Sequence, residues 1–252
     1  MEVSITKTVT PEQNELKRKK KTLHKLEADL AQRELDLATL SGELKALELL
    51  YMRRVGMRLA HLDLIDARIT EILARMNPDD SAVEKKAEKA RRKAEKANQK
   101  AQAAQEAPEE STRFKPSESL KSLYREVAKR IHPDLASDEQ ARNLRNQWMV
   151  SVNAAYQAGD EEKLRSLLEE WENSPESVQG SGYHADLERT LRRINQVKER
   201  LRELKLDFDR LRSSFAYSLR IRIELAQIEG RDLLEEMAQR IEKQILRKQV
   251  LL

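Results

Sequence analysis

Apolar side chains recur at steps of three, four or seven residues along the first part of the chain, and this spacing constrains the fold more than any other feature. The series comprises Leu16, Leu23, Leu26, Leu30, Leu37, Leu40, Leu44, Leu47 and Tyr51. On a helix these positions form one stripe, which is the seam of a heptad coiled coil. No proline interrupts residues 12–76, so a continuous helix is predicted there. The spacing becomes less regular after Tyr51, next to Gly56, which predicts a local change in the supercoil.

A second heptad series occupies the last part of the chain, residues 183–252. Its members at seven-residue spacing are Leu187, Ile194, Leu201, Phe208 and Phe215. Charged residues make up 37% of the chain and aromatic residues only 4%. This composition is typical of long helices and argues against a β sandwich, a barrel or a Rossmann unit. Because two stalks of nearly equal length flank an insert, we predict an all-α protein built on a long antiparallel coiled-coil hairpin with a small helical insert. A homodimer of parallel coils fits the same heptads.

Residues 81–110 are of low complexity and consist mainly of Ala, Lys and Glu. Apart from Val83, residues 81–105 contain no apolar side chain larger than alanine, and they carry eight basic against three acidic residues. We predict a solvated helix or a semi-rigid linker, because little apolar surface is available for packing. The functional alternative is an arm that contacts nucleic acid. The basic run at residues 17–21 fits either a solvated helix start or a site for nucleic acid or an acidic membrane surface.

Several classes of function are disfavoured by what the chain lacks. With no cysteine, disulfides, thiol nucleophiles and cysteine zinc sites are excluded. The first ten residues do not resemble a signal peptide, and no apolar run is long enough to cross a bilayer, so a cytoplasmic location without membrane insertion is expected. The histidines do not cluster, and no carboxylate pair or nucleophile arrangement indicates catalysis. We therefore predict no metal, no cofactor, no small-molecule substrate and no enzymatic activity. The net charge of +4 by itself does not indicate nucleic acid.

The middle segment, residues 115–172, contains both tryptophans and is predicted to form a helix, a proline loop and two further helices. Ser117 is the expected N-cap of the first helix. Leu144 and Trp148 are expected to point inward from the second helix. The predicted core comprises Leu120, Tyr124, Val127, Ile131, Met149, Val152, Ala155 and Tyr156. A different face of the first helix carries the basic residues Lys121, Arg125, Lys129 and Arg130.

Residues 117–171 resemble the J domain of DnaJ-type co-chaperones. Tyr124-Arg125, Ala128 and His132-Pro133-Asp134 have the spacing of the YR-x-x-A-x-x-x-HPD helix and loop of that family. Downstream, Val152-Asn153-Ala154-Ala155-Tyr156 is similar to the family's I-N-x-A-Y pattern. The usual first helix of a J domain, with its Y-x-x-L-G-V pattern, is missing, because those positions read EAPEESTRFKP.

The resemblance implies a protein partner. J domains bind a DnaK-type heat-shock chaperone and stimulate its ATP hydrolysis. By this resemblance His132, Pro133 and Asp134 would form the stimulating loop, and Lys121, Arg125, Lys129 and Arg130 would meet an acidic surface of the chaperone. The coiled-coil arms would recruit a client or partner, or associate with a second copy. Two alternatives remain open: a structural scaffold with a degenerate J-like insert, and a coiled-coil protein associated with nucleic acid.

Overall fold

Helices account for nearly all of the computed structural model, which describes residues 11–136, 138–172 and 183–252, and these ranges contain no strand. The prediction of an all-α protein is confirmed. The α-helices are α1 (Pro11–Tyr51), α2 (Met57–Met76), α3 (Ser81–Glu106), α4 (Glu118–Ile131), α5 (Glu139–Ala158), α6 (Glu161–Glu172), α7 (Tyr183–Arg212), α8 (Phe215–Ile228) and α9 (Leu233–Gln249). The chain divides into two compact units, one of residues 1–41 with 115–211 and the other of residues 42–114 with 212–252.

In the first unit, α1 pairs with α7 through a leucine-rich seam. Leu23, Leu30, Ile194, Val197 and Leu204 are buried in it. Burying a side chain of this size stabilises the folded state by roughly 1.5–3 kcal/mol. The heptad positions of the two stalks therefore face each other, as expected of a coiled coil.

The direction of this pairing contradicts the antiparallel hairpin. Three ion pairs join the helices, namely Lys20–Asp186 at 3.8 Å, Glu27–Arg193 at 3.1 Å and Glu34–Arg200 at 2.9 Å. The partners advance together by seven residues in each helix, so α1 and α7 run parallel. Equal stalk lengths do not determine direction, because the long insert allows the second stalk to start beside the beginning of the first.

In the second unit, α2 packs on α9, also in parallel. Val55 and Leu62 meet Leu234 and Ile241 in a buried apolar cluster. Arg54 pairs with Asp232 at 2.8 Å, Arg58 with Glu242 at 3.5 Å, and Asp66 with Lys248 further along both helices. The pairs α1–α7 and α2–α9 are therefore parallel and differ from the predicted antiparallel stalks.

Helix α3 packs against the opposite face of α2, which differs from the solvated spacer expected for residues 81–110. Ala87, Ala94 and Ala101 lie seven residues apart on α3 and are at most 8% exposed. The ion pair Asp63–Lys93 and the hydrogen bond from Arg53 Nε to the carbonyl of Ala104 show that α3 runs antiparallel to α2. Alanine side chains hold the helices together because they let two backbones approach closely.

Each stalk is interrupted at a local break. A π-helical turn, Met52–Gly56, separates α1 from α2 at the irregularity in the heptads. The C-terminal stalk, predicted as one helix over 183–252, is divided into α7, α8 and α9. Ser214 caps α8 by accepting the Tyr217 N–H at 3.2 Å, and Gly230 adopts a left-handed φ of 72° before α9.

Candidate functional site

The J-like module consists of α4, α5 and α6 in the first unit. Ser117 caps α4 by accepting the Leu120 N–H at 3.0 Å, and Gly159, with φ of 73°, ends α5. Every residue of the predicted module core is less than 9% exposed: Leu120, Tyr124, Val127, Ile131, Met149, Val152, Ala155 and Tyr156. The module therefore has its own apolar centre without the usual first helix.

The two motifs of the family resemblance contact each other. The rings of Tyr124 on α4 and Tyr156 on α5 lie 4.7 Å apart, and both residues are fully buried. The Tyr124 hydroxyl donates to Asn153 Oδ1 at 2.7 Å. A buried hydroxyl needs such a partner, because leaving it unsatisfied costs about 1–3 kcal/mol. These contacts fix the angle between α4 and α5 and thus the loop between them.

A buried arginine holds the end of α4. Arg145 on α5 is 8% exposed, and its guanidinium donates to the carbonyl of Arg130 at 2.9 Å and lies 4.4 Å from the ring centre of Trp171. The last carbonyls of a helix have no partner within the helix, so this cation satisfies one of them. Sequence reasoning placed Leu144 inward instead, but Leu144 is 36% exposed.

The His132-Pro133-Asp134 loop forms a short 3₁₀ turn, Pro133–Leu135. The backbone N–H of Asp134 donates to His132 Nδ1 at 3.2 Å. Because Nδ1 accepts a hydrogen bond, the proton of the neutral imidazole lies on Nε2. That N–H donates to Glu34 Oε1 on α1 at 2.9 Å. The loop is therefore joined to the stalk by a buried hydrogen bond.

Both stalk helices meet at this point. Glu34 Oε1 also accepts from Arg200 Nε of α7 at 2.9 Å. Burial alone would raise the pKa of Glu34, but the hydrogen bonds from His132 and Arg200, together with the charge of Arg200, outweigh it and hold that pKa below its ordinary value. His132 is 3% exposed and Glu34 is 5% exposed, so the chain itself covers the predicted stimulating loop.

Asp134 is buried without full satisfaction of its polar atoms. Its Oδ2 has no hydrogen-bond partner among the described residues, although the residue lines a cleft of about 340 Å³ between the loop and α7. Burial raises the pKa of this carboxyl above its ordinary value. An unsatisfied buried carboxylate destabilises the fold, and such groups call for a functional explanation.

The four basic residues of α4 differ in accessibility. Lys129 is exposed and makes no ion pair within the described residues. Arg130 is exposed and pairs with Glu126 at 2.9 Å and with Glu172, and Lys121 pairs with Glu118 at 2.8 Å. Lys129 and Arg130 are therefore exposed, and Lys121 is partly buried.

The fourth basic residue is engaged by the stalk. Arg125 is half-buried, and its guanidinium donates to Gln32 Oε1 of α1 at 3.1 Å. The stalk thus contacts both the loop and the basic face of α4.

Sequence reasoning missed Gln32, Glu34, Arg145 and Arg200. A signal for Arg145 was available, because it falls in a helical stripe with Met149, Val152 and Tyr156. The stalk residues carry no comparable signal, since charged residues near a heptad seam ordinarily form only pairs between the two helices.

Among the described residues, no group of acidic or histidine side chains is placed to hold a metal ion, and no helix is long and apolar enough to span a bilayer. Comparison of the chain with models of protein families, with curated proteins and with solved structures finds no match.

Proposed function

We propose that this chain is a J-like co-chaperone or adaptor that engages a DnaK-type heat-shock chaperone through His132, Pro133 and Asp134 and stimulates ATP hydrolysis by that partner. The contact between its two motifs carries the proposal: Tyr124 packs on Tyr156 and bonds to Asn153. A His-Pro-Asp tripeptide arising by chance would not be expected to lie between two helices joined in this way.

The basic face of α4 supports the same proposal. Lys129, Arg130 and Lys121 lie on the surface of the helix that leads into the loop. Positive charge there would guide the module onto an acidic surface, since complementary charges speed association and fix orientation more than they add affinity. The chain would stimulate hydrolysis, and the ATP would be bound by the chaperone. The coiled-coil stalks would recruit a client or partner in the cytoplasm.

A single-turnover ATPase assay with the DnaK-type chaperone of the same host tests the proposal. We expect excess wild-type protein to accelerate hydrolysis and His132→Gln to abolish the acceleration. His61→Gln is the matched control, because it makes the same change at an exposed histidine of the second unit. Equal rates with wild type and His132→Gln would contradict the stimulating role.

Lys129→Glu tests the docking charge without disturbing buried groups. It should raise the concentration needed for half-maximal stimulation several-fold at low ionic strength and have less effect at high salt, because surface charges are then screened. An unchanged salt dependence would argue against docking through this face.

A structural scaffold is the second candidate, and the burial of His132 and Asp134 favours it. In that case the loop serves only to fasten the module to the stalk through Glu34. The scaffold predicts partner binding or self-association that survives His132→Gln, together with no effect of any variant on chaperone ATPase activity. Pull-down and light scattering on the same proteins measure this.

A further inference from the structure

The stalk occupies the face of the module that the chaperone would use. Glu34 of α1 accepts a hydrogen bond from His132, and Gln32 of the same helix accepts one from Arg125. A carboxylate and an amide oxygen thus meet the histidine and one of the basic residues that are expected to bind an acidic partner.

The module is also joined to α1 at a second position, away from the loop. The hydroxyls of Thr39 on α1 and Tyr156 on α5 form a hydrogen bond of 2.8 Å. Gln32 and Thr39 lie about two helical turns apart on one face of α1, whereas Glu34 lies on a different face, where it also contacts Arg200 of α7. A chaperone that binds His132 would have to displace Glu34 from it.

Glu34 belongs to a series of stalk ion pairs, and this provides an internal comparison. Glu27 pairs with Arg193 one heptad earlier in the same helix pair, at 3.1 Å through Nη2 of the arginine. Among the residues that the structure describes, Glu27 makes no hydrogen bond or ion pair with the module, whereas Glu34 also accepts from His132. The contact to the loop is thus additional to the stalk pairing.

We propose that the segment of α1 around Glu34 is an intramolecular competitor of the chaperone, which masks the loop until the module is released from the stalk. This inference rests on the proposed function, because it regulates the same site. The affinity of a partner for a masked surface is reduced by the fraction of molecules in the open form. We call the contact between Glu34 and His132 the latch. A change that weakens the latch should therefore strengthen the apparent binding of the chaperone.

The test compares Glu34→Ala with Glu27→Ala, in the full-length protein. Both variants remove a stalk carboxylate from α1, but only the first removes the acceptor of His132. We expect Glu34→Ala to lower the chaperone concentration for half-maximal ATPase stimulation by at least about five-fold. Glu27→Ala should leave it within about two-fold of wild type.

Hydrogen exchange provides a readout that does not need the chaperone. The amides of Leu135 and Ala136 donate to the carbonyls of His132 and Pro133 within the turn. Peptides covering this loop should exchange faster in Glu34→Ala than in wild type or Glu27→Ala. Thr39→Val, which removes a hydrogen bond between α1 and the module away from the loop, should change exchange and stimulation in the same direction.

The outcomes separate the two proposals. If wild type stimulates the chaperone and the Glu34 and Thr39 variants match it at every concentration, the latch is wrong and the proposed function stands. If no variant stimulates the chaperone at all, the proposed function fails and the competitor role falls with it. Faster loop exchange in that case would leave Glu34 as a purely structural fastening.

Discussion

Enlarging one alanine in the α2–α3 seam should destabilise the second unit. Ala94 is 1% exposed and packs against the face of α2 that carries Ala60 and Ala67, which are 2% and 6% exposed. Ala94→Leu adds three carbon atoms where two backbones lie close together. Overpacking of this kind costs roughly 1–3 kcal/mol, while the helix propensities of alanine and leucine are similar. For a unit of about 114 residues, a loss of about 2 kcal/mol corresponds to a fall in Tm of about 8 °C.

Far-UV circular dichroism during heating measures the change, and Ala103→Leu is the control, because Ala103 lies on the same helix but is exposed. Trp148 and Trp171 both lie in the first unit, so their fluorescence separates its unfolding from that of the second. If Ala94→Leu and Ala103→Leu melt at the same temperature as wild type, α3 is a solvated spacer and the seam is refuted.

Three further changes test the module and its fastening. Tyr124→Phe should lower the free energy of unfolding by about 1–2 kcal/mol in urea titrations, because Asn153 loses its buried hydroxyl donor; an unchanged value would refute that bond. Asp134→Asn should increase the free energy of unfolding at neutral pH by roughly 1 kcal/mol and so raise Tm, because the folded state disfavours the carboxylate; a lower Tm would contradict this. The same variant should abolish chaperone stimulation. Glu34 binds its proton more weakly in the folded state than in the unfolded state, so its stabilisation is complete above the ordinary pKa of 4.5 and is lost as the pH falls through the lower folded value. Denaturant titrations between pH 6 and 3 should therefore show a fall in the free energy of unfolding that Glu34→Gln reduces, and parallel curves would refute the contribution of the Glu34 carboxylate, which binds His132 and Arg200.

Local patterns predicted the helices and the core of the module well. Heptad spacing located the stalks, Ser117 marked the start of α4, and the stripe from Leu120 to Ile131 is buried. These features depend on residues within a few turns of each other, which the sequence displays directly. Ala87, Ala94 and Ala101 also show seven-residue spacing, which is compatible with a buried seam. Alanine and charged residues are equally typical of a solvated helix, so this pattern alone does not predict burial.

By itself, then, the sequence determined an all-α chain with two heptad stalks and a helix–loop–helix module that resembles a J domain. Only the tertiary structure decided the direction of the stalks, because a heptad pattern defines the apolar face of a helix but not whether its partner is parallel or antiparallel. It also decided that Glu34 accepts hydrogen bonds from both His132 and Arg200. The residues of this contact come from three distant segments of the chain. Local sequence patterns do not predict which charged residue of a stalk is buried against another element.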